Sequence, residues 1–202
     1  MSKRNDEQEI SKILKFWFNN GYYTMNHDLW FKNGDQYDDY IKNEFKYLLE
    51  LAESYQLLHW YNTKNGFLAH TILLDQFSRH IYRNTPKAYQ NDNFALNYVN
   101  LYLFQHIQFL KPVELLFALM PYQHSEILIE QKKGLHLWKI LAEEQKNPRT
   151  IKIYKEALYH QEKHLEVIEK FKRFPKRNKY LKRKSKKKEL EYLKTSDPDL
   201  PY

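Results

Sequence analysis

Apolar residues recur three and four positions apart along most of this chain, and the recurrence predicts one helix after another. Ile10, Ile13, Leu14, Trp17 and Phe18 mark a helix over 7–18, which Asn19-Asn20-Gly21 stops. A loop carrying Trp30 and Phe31 precedes Asn33-Gly34; Ile41, Phe45, Leu48, Leu49 and Ala52 then predict a helix over 38–55. Asn65-Gly66 leads into the most apolar helix, 67–83, which ends before Thr85-Pro86. Further helices are predicted over 92–109, over 113–120 behind Pro112, over 125–145 with Ser125 as its N-cap, and from Pro148 to residue 172. Phe174-Pro175 breaks the last of these. A basic stretch leads to a short helix over 186–193, and prolines at 198 and 201 fray the end. With 4 Gly and 7 Pro the chain has too few turn residues for a sandwich or barrel. The pattern reads as all-α, with antiparallel helix pairs joined by short connections.

Cysteine is absent, which removes disulfides, thiol catalysis, iron–sulfur clusters and cysteine zinc sites together. The N-terminus is polar, and no apolar run approaches the roughly 20 residues of a spanning helix. A soluble, cytoplasmic protein is expected, with no membrane partner. The net charge of +8 is concentrated: residues 170–188 hold 12 Lys or Arg and no acid, so the remainder carries −4. Residues 1–178 therefore read as one helical domain and 179–202 as a basic extension with a short terminal helix. A solvated tail, a nuclear-localisation cluster or single-stranded nucleic-acid binding would each fit lysines interleaved with Phe171, Phe174 and Tyr180.

Candidate chemistry centres on the 67–83 helix, where Leu68, Ile72, Asp75, Arg79 and Arg83 share a stripe opposite Leu73, Phe77 and Ile81. Apolar on both sides, such a helix is buried, and its charges need partners. Asp75 and Arg79 can pair at i,i+4, leaving Arg83 to find Glu126 or a ligand anion. The stripe is either a structural ion-pair network or an anion-binding site. His124-Ser125-Glu126 opens a helix either as a cap or as an acid/base pair, His124 with Glu126, at a pocket rim. His160 and His164 have metal-ligand spacing, but no third ligand is evident, and a buried His164 bonded to a carboxylate fits better. No metal or cofactor is expected, and the glycine-rich phosphate loops and nucleophile elbow are missing.

LKFWF (14–18), WF (30–31), Trp60, LLDQFSRHIYR (73–83), Asp92, MPYQHSE (120–126), Gln131, and His164 through RFPKRN (173–178) occur in one order. Together they resemble the family known as domain of unknown function 924. The resemblance implies tetratricopeptide-like helical hairpins in a right-handed arrangement and no established activity. It also implies characteristic polar positions at Asp75, Gln76, Arg79, Arg83, His124, Glu126, His164, Arg173, Arg177 and Asn178. The chain departs from the family at His80, an asparagine there, at Lys172 and Lys182, glycines there, and at Lys176, a histidine there.

The leading expectation is a pocket between helices for a small anionic, phosphate-bearing ligand. Arg79, Arg83, Arg173 and Arg177 would clamp it, Asn178 would orient it, and Asp75 would position Arg79. His124, Glu126 and His164 would move protons if the protein is an enzyme, which the sequence leaves open. The rivals are a tetratricopeptide-like module for a protein partner and a tail that binds nucleic acid.

Overall fold

The computed structural model describes residues 5–18 and 28–196, and helices occupy the stretches that the apolar spacing marks out. They are α1 Asp6–Phe18, α2 Asp38–Glu53, α3 Lys64–Ile72, α4 Ser78–Ile81, α5 Asp92–His106, α6 Pro112–His124, α7 Leu128–Glu144, α8 Pro148–Phe171 and α9 Lys187–Thr195. Among the described residues there is no strand, so the fold is all-α, and no helix is long and apolar enough to cross a membrane. The stop expected at 19–21 and the prolines at 198 and 201 lie outside the described residues.

Three boundaries differ from the expectation for local reasons. Asn65-Gly66 lies inside α3, because Thr63 caps the helix by accepting from the Gly66 N–H at 3.1 Å. Glycine is required at 66: a Cβ there would stand 2.2 Å from the Trp60 carbonyl oxygen. α6 runs through Pro121 to His124, a turn beyond its expected end. Ser125 is not the cap of α7, whose N-cap is Ile127; the Ser125 hydroxyl accepts from the Ile127 N–H at 3.1 Å and closes a turn between the helices. Asn147, by contrast, caps α8 as its Asn-Pro opening suggests, accepting from Arg149 and Thr150.

The chain forms two compact units. The first contains the described residues up to Arg83 together with Lys87–Pro121. Its core is aromatic: Phe77 lies 4.8 Å from Phe45 and 5.4 Å from Trp17, and Trp17 lies 5.3 Å from Phe117, ring centre to ring centre. Burial of such rings supplies most of the stabilisation of a helical unit. α3 and α4 are joined by one wide π-turn, Leu73–Phe77, all five of whose residues are buried. A π-turn inside a helix re-aims the side chains around it, and this one carries Asp75 and Gln76.

The second unit contains Asn84–Pro86 and the residues from Tyr122 on. α7 and α8 form an antiparallel hairpin, since Gln131 meets Gln161 and, further along, Trp138 meets Tyr154. Gly134 permits the close approach: a Cβ would lie 2.7 Å from both the Gln161 Oε1 and the Tyr122 Cβ. Val167, Ile168, Phe171 and Phe174 make an apolar cluster that Leu128 and Tyr192 cover in part.

Candidate functional site

In the first unit the charged stripe becomes a chain of ion pairs. Arg79 donates to Asp92 at 2.9 Å and to the Ala88 carbonyl at 3.2 Å, and lies 3.6 Å from Asp75. Asp75 is fully buried and also accepts from the Gln76 amide at 2.6 Å, which in turn meets the Met120 sulfur at 3.1 Å. Burial disfavours the Arg79 cation, but Asp92 and Asp75 outweigh it and push its pKa up. Arg83 finds an acceptor in Asp38: its Nε and one terminal nitrogen grip that carboxylate, the latter at 2.7 Å. Asp38 also meets His80 Nδ1 at 2.8 Å. Burial raises the Asp38 pKa, while Arg83 and His80 lower it further, so the carboxylate is favoured. Around two guanidiniums stand three carboxylates.

In the second unit the HSE turn and the RFPKRN stretch are tied by a knot of charge-assisted bonds. Glu126 accepts from both terminal nitrogens of Arg183, at 2.7 and 2.9 Å, and from the Phe174 N–H at 2.8 Å. Arg183 also donates to the Phe174 carbonyl and, through Nε at 3.0 Å, to Asn178 Oδ1. Asn178 passes the network on to Ser185 and Glu189, at 3.1 and 3.3 Å. Glu189, 1% exposed, takes the Arg173 fork at 2.7 and 2.8 Å and the Lys186 N–H at 2.7 Å. The Arg173 hydrogen bond holds the Glu189 carboxyl down to about 2. Burial works against ionisation of Glu126, but Arg183 and the Phe174 N–H prevail and lower its pKa.

Beside the knot lie Arg177, His124 and His164. Arg177, buried, stacks its guanidinium 4.5 Å from the Phe174 ring centre and donates to the His124 carbonyl at 3.0 Å. The rings of His124 and His164 stand 6.3 Å apart, and His164 meets Phe174 edge-on at 5.7 Å. Nδ1 of His164 donates to the His160 carbonyl at 2.7 Å, a backbone group where a carboxylate was expected. That bond puts the ring proton on Nδ1 and makes Nε2 the acceptor. Burial first, then the nearby charges of His124 and Arg177, drive the His164 pKa well below its ordinary value. The ring is neutral at physiological pH. Among the described residues no three His, Asp or Glu side chains gather as metal ligands.

Residues 13–197 match the family described as a bacterial protein of unknown function (DUF924). The chain belongs to this family. The DUF924 chain is also similar over 95% of its length to a solved protein of unknown function from Agrobacterium tumefaciens, all of which is covered, at 26% identity and a TM-score of 0.81. No curated protein matches it. Against the family resemblance, Lys172 and Lys182 stand where glycine is usual, and both are left-handed, with φ of 62° and 53°. The turns that a DUF924 glycine would make are made here by lysine, at a cost of roughly 1 kcal/mol each. Lys172 is the residue that ends α8, its N–H bonded to the Ile168 carbonyl. Two residues of the knot, Arg183 and Glu189, were not candidates on sequence grounds. Glu189 did leave a signal, as the first acid after a run of 12 bases.

Proposed function

We propose that the second unit binds a small phosphate-bearing anion at Arg177, His124 and His164. The observation that carries the reading is the neutral, buried His164, its acceptor nitrogen defined by the bond to His160, beside the permanent cation of Arg177. A protonated phosphate oxygen donates to such a nitrogen, while the charged oxygens suit a guanidinium fork. In this reading Glu126, Arg173, Asn178, Arg183 and Glu189 fix the loop that carries Arg177. Asp75, Gln76, Arg79 and Arg83 act as an ion-pair network of the first unit. If the protein is an enzyme, His164 is the group placed to accept a proton.

A melting-temperature screen against phosphorylated metabolites and nucleotides tests this. A ligand at one hundred times its Kd stabilises by about 2.7 kcal/mol. The shift disappears in Arg177→Ala, shrinks in His164→Gln and survives in Arg79→Ala. Survival in Arg177→Ala, or no shift with any compound, overturns the reading.

The α7–α8 hairpin supports a second reading, a tetratricopeptide-like module that binds a protein partner without catalysis; fold analogy alone gives it little weight. Six lysines between 179 and 188 are exposed, which supports nucleic-acid binding by the basic tail. That affinity would collapse with salt.

A further inference from the structure

From Asn93 to Leu110 the chain has no Lys, Arg, Asp or Glu, although 29% of its residues are charged. The stretch is α5 and the turn after it. Ala95, Leu96, Val99, Leu103 and His106 face the core of the first unit. The other side would ordinarily be charged. Here it presents Leu101, 66% exposed, Phe104, 69% exposed, and Phe109, 61% exposed, among asparagine and glutamine. Phe94, Tyr98 and Leu101 follow one another at four and three, the spacing of a helix seam.

The half-buried rings beside these residues are packed in place. Tyr98 and Tyr102 each stack on the buried Tyr61 at 4.7 Å, within 10° of parallel, and Phe94 packs between Tyr98 and Tyr55 at 4.9 and 5.0 Å. Side chains held in place lose little entropy on docking. Aromatic residues without charge are the composition of an interface core.

We propose that this face pairs with the same face of a second copy of the chain. Charge decides the occupant. In a two-fold pairing each face meets its own copy, so a charged face meets like charge, whereas this one carries none and meets its copy without repulsion. A lipid surface would call for Lys or Arg along the polar flanks of the helix, which the stretch lacks. An acidic or basic partner would find no opposite charge. Leu101 lies at the middle of the uncharged stretch, so an antiparallel pairing about a two-fold axis there sets uncharged helix against uncharged helix over its whole length.

The full chain is examined by sedimentation velocity over a range of concentration and salt. A dimer that persists in high salt is expected, and Leu101→Asp weakens it by about tenfold or more while leaving the helical circular dichroism in place. Because the chain has no cysteine, Leu101→Cys gives a direct second reading. Mild oxidation joins it into a covalent dimer faster than it joins Lys139→Cys, an exposed position on α7. A monomer at every concentration, a dimer that dissociates in high salt, or equal cross-linking at 101 and 139 each overturns the proposal.

Discussion

Two clusters of arginine, one in each unit, look alike in sequence and differ in charge balance. On α3–α4, Arg79 and Arg83 stand among Asp38, Asp75 and Asp92. Around the HSE turn, Arg173, Arg177 and Arg183 stand among Glu126 and Glu189. In the first, carboxylates outnumber guanidiniums, and each arginine has a carboxylate beside it. In the second the balance is reversed, and the buried histidine beside Arg177 has given up its proton. A buried arginine is thus no sign of an anion site by itself; the surrounding carboxylates decide.

The sharpest break is Glu189→Ala. It strips the Arg173 fork, the Lys186 N–H and Asn178 of one acceptor, and should cost about 3 kcal/mol by urea unfolding. A loss below about 1 kcal/mol would mean that the knot does not hold the unit together. Acidification gives the next effect. The unfolded chain binds protons on histidine near pH 6.5, whereas His70 of the first unit, desolvated by burial, titrates at about 3. Its stabilisation is complete above pH 6.5 and falls by about 2 kcal/mol on going down to pH 5. His164, shifted in the same direction, adds a parallel loss, and His70→Gln and His164→Gln should each flatten the slope by one proton. Below that window the Glu189 contribution, present above about 4.5, disappears as the pH approaches 2, and Glu189→Ala should lack this lower limb.

Smaller effects sharpen the contrast. Asp92→Asn should cost about 1 kcal/mol, because Asp75 remains beside Arg79, and a loss equal to that of Glu189→Ala would erase the difference between the clusters. Lys172→Gly and Lys182→Gly should each stabilise the second unit by up to about 1 kcal/mol, read as a rise in denaturation midpoint. No gain at either position would show that the lysines make contacts worth the backbone strain.

The helices were legible because their cause is local: α2, α5 and α8 follow from apolar spacing, and Pro148 announces the start of α8. The Asp75–Arg79 pair was legible for the same reason, being one helical turn apart. Partners distant in sequence were not. Asp38 meets Arg83 across 45 residues, and no periodicity connects them. Lysine abundance hid Arg183 and Glu189, since a charge run reads as a solvated face until one member is seen to be buried. Ser125 misled because Ser-Glu serves a helix cap and a tight turn equally well; only the position of Ile127 separates the two.

The pairing of Glu126 with Arg183 has a consequence for the chain as it is made. The two residues lie 57 apart in sequence. At about 5–20 residues per second, a ribosome adds Arg183 roughly 3 to 11 seconds after Glu126. Through that interval the HSE turn lacks the guanidinium that clasps it, while the Phe174 N–H it also receives is added nine residues earlier. The knot of the second unit therefore closes only after Arg183 has been added, and a chain cut short before it leaves the Glu126 carboxylate without that guanidinium.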